Sequence, residues 1–424
     1  MPGAPFQTGR RASSIPTPPS YNVPGSTPVP KQTIRDLDLN GKKVLVRVDF
    51  NVPQTSAGAI SDDRRIRAAL PTLEYALTQG ASLILVSHLG RPTGDPATDA
   101  PFRLDAVAAR LQELIGRPVA KVNDTVGPEA QSAAASLKPG RILVVENVRF
   151  NKGEKKGDPA FAKQLASLAD VYVNDAFGTC HRDEASMVAV PECFAPENRA
   201  IGFLVEKELQ ILETLLGNPK HPLISVMGGA KVSDKILIIE NLLPKVDHLL
   251  VGGAMTYTFL KAQGHEIGKS RCELDKLGEA KKLLEKAGPK IVLPVDHLVA
   301  TAPDATAETK IVEGSSLPEG WFGMDIGPKT VALYSDLIKI AGTVVWNGPM
   351  GKFEDAPFRL GTKGIAEALG ASKGVTVIGG GETAEAVEAF GFADKVTHVS
   401  TGGGAFLEYL EGKKFNSLKV IPDK

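Results

Sequence analysis

From Lys42 onward, short β-branched runs alternate with longer helix-like stretches. Lys43–Val48 (KVLVRV), Ser82–Val86 (SLILV), Arg141–Glu146 (RILVVE) and Val171–Asn174 read as strands. Arg64–Gln79 and Leu104–Ile115 read as helices between them. This rhythm predicts βα units and a parallel sheet covered on both faces. Glu206–Leu216 (EKELQILETLL) is an amphipathic helix near the middle, stopped by Gly217, Asn218 and Pro219. The rhythm restarts at Leu223–Met227, with further strands expected at His248–Val251, Lys290–Leu293, Thr343–Trp346, Val375–Ile378 and Thr397–Ser400. The expected fold class is α/β: two Rossmann-like, three-layer αβα domains with parallel sheets, joined by a helix and separated by a cleft. No fixed-period repeat relates the halves.

The pattern divides the chain at 31–202, 203–217 (the joining helix) and 218–402, with 403–424 packing back on the first domain. Residues 1–30 read as a disordered Pro/Ser-rich tail. This tail has no acidic residue and no continuous apolar stretch, so it is not a secretory signal. Arg10 and Arg11 leave an organelle transit peptide as the alternative, but its prolines oppose an amphipathic helix.

Composition narrows the function. The 424 residues carry 49 Lys+Arg and 49 Asp+Glu, which argues against nucleic-acid or membrane binding through bulk charge. Three cysteines, Cys180, Cys193 and Cys272, form no CxxC pair and cannot all pair, so a reducing, cytoplasmic setting is expected. No apolar run approaches the ~18–20 residues of a membrane span.

In parallel sheets, ligands bind at the carboxyl ends of the strands. The first-half strands are followed by Asp49-Phe50-Asn51, then Ser87 to Arg91, Asn147-Val148-Arg149, and Asp175 to Arg182; Arg65 opens the first helix. Several arginines and His88 at one edge suit a small, multiply anionic ligand. The alternative for any single Arg is a solvated residue or half of a salt bridge.

The second-half strands are followed by Gly228-Gly229-Ala230-Lys231, Gly252-Gly253-Ala254, Asn347 to Gly351, Gly379 to Thr383, and Thr401 to Gly404. Glycine lets backbone N–H groups approach phosphates, and a following helix N-terminus adds a favourable dipole; the alternative is a set of tight turns. Five such loops favour a nucleotide cradle. One half then holds a small anion by side chains and the other a nucleotide by backbone, an arrangement suited to phosphoryl transfer in the cleft.

Competing motifs are weak. Gly264–Ser270 is one residue short of a Walker A and lacks a clear preceding strand. Gly379-x-Gly381-x-x-Ala384 fits the dinucleotide fingerprint, but no acid lies between Asp394 and Glu408, where one is expected. HExxH, GxSxG and zinc spacing are absent.

VRVDFNVP (Val46–Pro53), DDRRIRAALPT (Asp62–Thr72), SHLGRPTG (Ser87–Gly94), ENVRF (Glu146–Phe150), NDAFGTCHR (Asn174–Arg182), GGAKVSDKI (Gly228–Ile236), WNGPMGKFE (Trp346–Glu354), GGGET (Gly379–Thr383) and VSTGGGAFLE (Val399–Glu408) together resemble phosphoglycerate kinases, in order, from about Lys42 to the C-terminus. The resemblance implies reversible phosphoryl transfer between 1,3-bisphosphoglycerate with Mg·ADP and 3-phosphoglycerate with Mg·ATP. It implies a first domain for phosphoglycerate and a second for adenine nucleotide, hinge bending about the joining helix, a monomer, and no nucleic-acid or membrane partner. His88, Arg91, Arg149 and Arg182 would grip the 3-phosphate, with Asp49 and Asn51 orienting the glycerate. Arg65 would meet the carboxyl end and the transferring group. Lys231 and Lys235 would reach the nucleotide phosphates and the transition state, their i, i+4 spacing placing both on one helix face. Gly229, Gly253, Gly323 and Met324 would border the adenine, Glu354 the ribose. Asn347, Gly380, Gly381, Glu382 and Thr383 would serve the nucleotide phosphates, with Glu382 on Mg²⁺; Gly402 to Gly404, Gly403 above all, would meet the transferring group.

Two departures stand out. The family has Asp where this chain has Glu382, one methylene longer. Its HRxHxS pattern reads His181-Arg182-Asp183-Glu184-Ala185-Ser186 here, which puts two acids beside a phosphate-binding Arg. They imply weaker substrate affinity, or side chains turned to solvent. They also keep open a non-catalytic phosphometabolite or nucleotide binder of the same fold, and the fingerprint at Gly379–Ala384 keeps open a nicotinamide enzyme.

Overall fold

The computed structural model describes residues 29–424, so nearly all of the expected tail lies outside the described residues. The first half supplies β1 (Lys43–Val48), β2 (Ser82–Val86), β3 (Val119–Lys121), β4 (Ile142–Val144), β5 (Val171–Asp175) and β6 (Arg199–Ile201). They form a parallel sheet in the order β3-β4-β2-β1-β5-β6. The second half supplies β7 (Leu223–Met227), β8 (His248–Val251), β9 (Ile291–Val292), β10 (Asp296–Ala300), β11 (Thr309–Glu313), β12 (Phe322–Ile326), β13 (Thr343–Asn347), β14 (Val375–Gly379) and β15 (His398–Val399). A second parallel sheet runs β15-β14-β13-β7-β8-β9, and β10 to β12 form a separate antiparallel sheet in the order β11-β10-β12.

Two Rossmann-like sheets are as the pattern predicts; the antiparallel sheet, β3 and β6 are not. The physical reason is burial. The central strands β1, β2, β5, β7 and β13 are covered on both faces and therefore mostly apolar. Four of the five residues of β11 are exposed, so the strand carries no apolar signature. β3 and β6 span three residues each, too short to display a pattern.

Side chains alternate across each sheet. Val44, Val46 and Val48 join one core with Leu83, Leu85 and Val173; Leu45 points the other way, with Ile84, Val86 and Tyr172. Arg47 shares that second face by alternation and is wholly buried. The same core continues through Leu209, Ile211, Leu212 and Leu215 of the helix Phe203–Gly217 to Leu223 and Met227 of β7 and to Phe406, Leu410, Phe415 and Leu418. That helix is thus buried on most sides, as a core helix is. The first described residues meet the C-terminal segment: Gln32 donates to the Pro422 carbonyl (2.9 Å) and Lys424 to that of Pro30 (2.8 Å).

Glu208 lies wholly buried within this helix. Its carboxylate accepts from His398 Nε2 (3.0 Å), Ser400 Oγ (2.8 Å), Thr401 N (2.9 Å) and Thr401 Oγ1 (3.1 Å). Burial alone would raise its pKa, but His398 and these bonds outweigh burial and leave it below its ordinary value of 4.5. A depressed acid stabilises the fold above its unfolded pKa and loses that contribution as pH falls through its folded pKa. Glu208→Gln is therefore expected to cost about 2–3 kcal/mol in urea unfolding at pH 7. The gap to wild type should narrow below pH ~4. A gap that stays constant with pH contradicts an ionised Glu208.

Candidate active site

Each sheet reverses its direction of growth once, and an open α/β sheet forms its crevice at that point. In the first sheet the reversal lies between β1 and β5, where Val48 is level with Asp175 and Arg47 with Asn174 and Val86. The segments after β1, β2 and β5 therefore emerge together, bringing Asp49, His88 and the 176–182 loop to one place. Arg65, at the start of the helix Arg64–Thr78, bonds Asp49 Oδ2 through Nη1 (2.5 Å). Asp49 Oδ1 lies 3.9 Å from His88 Nδ1 and accepts from Asn51 N (3.3 Å). Asn51 Oδ1 in turn accepts from Gly90 N (2.8 Å). Arg149 donates to the Gly90 carbonyl (2.9 Å) and to Glu184 Oε1 (2.7 Å), while its Nε is buried without a partner. Arg182 Nη1 approaches the same Glu184 oxygen at 3.5 Å.

Arg47 sits behind this group. It donates to Ser186 Oγ (2.8 Å) and the Val48 carbonyl (2.5 Å), and its Nη2 lies 3.3 Å from His88 Nδ1. A guanidinium has no acceptor, so Nδ1 accepts and the His88 proton rides on Nε2. Burial, then Arg47, Arg149, Arg182 and Arg65, push the His88 pKa far down, so the ring is a neutral donor. Of the expected anion ligands, Asp49, Asn51, Arg65, His88, Arg149 and Arg182 are brought together. Arg91 is exposed one residue beyond Gly90. Of the two acids after Arg182, Asp183 faces Asn416 Nδ2 at the surface (3.1 and 3.2 Å), but Glu184 is buried among the arginines rather than turned to solvent.

The second sheet reverses between β7 and β13. Asn347 is level with Met227 on one side and Gly379 on the other. The buried Asn347 donates to the Gly379 carbonyl (2.7 Å) and accepts from Lys235 Nζ. Gly348 N donates to Thr383 Oγ1 (2.7 Å). Gly229 N bonds the Pro349 carbonyl (3.0 Å) and Gly253 N that of Met350 (2.8 Å). Gly253 has φ +67°, and a Cβ there would come within 2.5 Å of Gly229. Gly380 has φ +95°, and its Cβ would overlap the Asn347 amide; it caps the helix Gly381–Ala389. Glycine backbone and the N-terminus of the helix Gly381–Ala389 thus lie together at this edge, beside Lys235 held at Asn347.

Gly323 and Met324 lie on β12, in the antiparallel sheet. Gly323 abuts the Tyr257 hydroxyl, and the Met324 carbonyl accepts from Lys352 N (3.0 Å), two residues before the exposed Glu354. Gly403, at φ +45°, caps the helix Gly404–Leu410. One expectation is corrected. Lys231 and Lys235 do not share a helix face, because the helix begins at Ile236. Glu273 binds both Ser233 N (3.1 Å) and Ser233 Oγ (2.6 Å) and holds 232–235 as a turn. Lys231 is left exposed.

No group of three His, Cys, Asp or Glu side chains gathers for a metal among the described residues. Glu382 is an exposed carboxylate in the first turn of its helix. One carboxylate among glycine N–H groups fits a hard cation that takes its other ligands from phosphate oxygens and water. A cleft of about 1190 Å³ lies between Asp62, Asp63, Arg64 and Arg67 of the first half and Gly381, Glu385 and Glu388 of the second, and Arg64 pairs with Glu388 beside it. Arg65 and Lys235 do not line it.

Arg47, Glu154, Glu208 and His398 escape a reading based on strand ends. Arg47 and Glu208 lie inside apolar segments, and a charge in such a segment is itself the available signal.

The family model described as Phosphoglycerate kinase matches residues 34–413. A phosphoglycerate kinase of Moorella thermoacetica is 52% identical over 397 residues, covering 93% of this chain and 100% of that one. That of Rubrobacter xylanophilus is 50% identical over 394 residues, covering 93% and 99%. The structure of phosphoglycerate kinase from Coxiella burnetii superposes with a TM-score of 0.84 at 41% identity, over 92% of this chain and 99% of that one. That from Pyrococcus horikoshii gives 0.80 at 31%, over 92% and 98%. The fingerprint at Gly379–Ala384 thus loses its claim to a nicotinamide enzyme. With the family model spanning residues 34–413 and these relatives matched over 93% of the chain, the chain belongs to the phosphoglycerate kinase family.

Proposed function

We propose that the two edges divide the substrates between them: the arginine basin takes the triose phosphate and the glycine loops take the adenine nucleotide. The activity is that of a phosphoglycerate kinase, a phosphotransferase of glycolysis. The observation that carries the division is the contrast between the edges. Arg65, Arg149, Arg182 and the neutral donor His88 converge at one. At the other, Lys235 faces the carboxyl ends of β13 and β14, where backbone is bared by glycine.

An acyl phosphate is already activated, so transfer needs positioning and charge neutralisation rather than a protein nucleophile. Arg149, Arg182 and the His88 Nε2–H hold the 3-phosphate, with Arg91 reaching in from the surface. Asp49 and Asn51 orient the glycerate. Asp49 also aims the Arg65 guanidinium, which neutralises the equatorial oxygens of the transferring group. Lys235, held by Asn347, and the exposed Lys231 do the same from the nucleotide side. Gly403, with Gly402 and Gly404, offers N–H groups at a helix start. Gly229, Gly253, Gly323 and Met324 border the base, Glu354 the ribose, and Gly380, Gly381 and Thr383 the phosphates. Glu382 would hold Mg²⁺, which when bound draws charge from the nucleotide phosphates. We place the phosphoglycerate domain at 31–202, the nucleotide domain at 218–402, and the hinge at the helix 203–217, with 403–424 returning to the first domain. Closure about that hinge would bring donor and acceptor together and exclude water.

Arg65→Ala is expected to lower kcat at least about 10²-fold in an assay coupling 3-phosphoglycerate and ATP to a dehydrogenase. Near-normal turnover contradicts its role. Glu382→Ala is expected to raise the Mg²⁺ concentration for half-maximal rate at least about tenfold. An unchanged Mg²⁺ dependence removes Glu382 from the metal site.

A further inference from the structure

Glu184 stands where the family pattern has His, and it sits inside the arginine basin. Its backbone cannot swing away. Ala185 N is bonded to the Glu154 carbonyl (2.7 Å), Ser186 N to Glu154 Oε2 (3.0 Å) and Ser186 Oγ to Glu154 Oε1 (2.5 Å). The Glu184 side chain is 7% exposed. Oε1 accepts from Arg149 Nη2 at 2.7 Å and lies 3.5 Å from Arg182 Nη1. Oε2 lies 3.9 Å from Arg47 Nη2 and is buried without a hydrogen-bond partner. Burial raises its pKa, but Arg47, Arg149 and Arg182 outweigh burial and hold it below the usual range, so it is charged at neutral pH. Three guanidiniums around one anion, with one oxygen only loosely engaged, is the environment that a phosphate would enter. Asp183 takes no part, since it faces Asn416.

We propose that Glu184 sets the affinity of the triose-phosphate site: its carboxylate binds Arg149 and Arg182 from inside the protein as a phosphate binds them from outside, and the incoming dianion competes with it. The inference rests on the assignment of the basin to the triose phosphate. Glu184 is a specificity-determining residue here, not a catalytic one, because it touches the arginines rather than the reacting group.

Glu184→Gln removes the charge and keeps one oxygen for Arg149. The expected result is a KM for 3-phosphoglycerate lowered about fivefold or more, with kcat within about twofold and the KM for ATP unchanged. Inorganic phosphate, as a competitive inhibitor against 3-phosphoglycerate, should tighten in parallel. A purely structural Glu184 would lose kcat and stability together without this split. A KM for 3-phosphoglycerate that rises or stays constant overturns the inference. Glu184→His, which restores the family residue, tests the same direction should Gln leave Arg47 too poorly paired to fold. Arg182→Ala run alongside separates the two levels. If it leaves the KM for 3-phosphoglycerate unchanged, the basin assignment itself fails. If it raises that KM while Glu184→Gln does not lower it, only the Glu184 inference fails.

Discussion

Positive charge gathered at one sheet edge repels itself, and in this chain buried carboxylates hold it in place. Asp49 pairs with Arg65, and Glu184 pairs with Arg149 and approaches Arg182 and Arg47. Glu154 reaches Arg47 through the Ser186 hydroxyl, which accepts from the guanidinium and donates to the carboxylate. Without these counter-charges, the desolvation of Arg47 and Arg149 would be uncompensated. With them, the arginines are fixed before any substrate arrives, and little ordering is left to be done on binding. The same pairing limits affinity, because every carboxylate that organises an arginine also competes for it.

The second half solves the anion problem differently. Its loops approach one another so closely that side chains are excluded at Gly253 and Gly380. Backbone is packed against backbone there, with no negative side chain needed to hold it. The two solutions are joined by one core. Apolar residues run unbroken from the first sheet through the helix Phe203–Gly217 to the second. Within that helix the Glu208 carboxylate accepts from Ser400 Oγ and from Thr401 N and Oγ1, just ahead of the Gly402–Gly404 loop. A rotation of the helix is therefore felt at that loop directly, which suits the hinge proposed for it.

Much of this was legible in the sequence. The central strands are apolar because both faces are buried, and the arginines and glycines stand out because they follow those strands immediately. What was hidden has local causes. β11 has almost no buried residue, and β3 and β6 are three residues long. Lys231 and Lys235 have helical spacing, but the Ser233–Glu273 contact, across forty residues, keeps the turn from becoming helix. In sequence Glu184 and Asp183 both read as acids that either weaken the phosphate site or turn to solvent, and only the fold shows that one is buried among guanidiniums and the other is not. Arg47 and Glu208 find their charged and hydroxyl partners in distant segments, so those partners are not visible in the local sequence.

The first half is proposed to hold the triose anion by itself, through charge fixed in advance. The most direct measurement is calorimetric titration of 3-phosphoglycerate into the nucleotide-free protein at low and high salt. One site per chain is expected, occupied without nucleotide and weakened as salt rises. Binding that appears only once nucleotide is added, or that ignores salt, would contradict it.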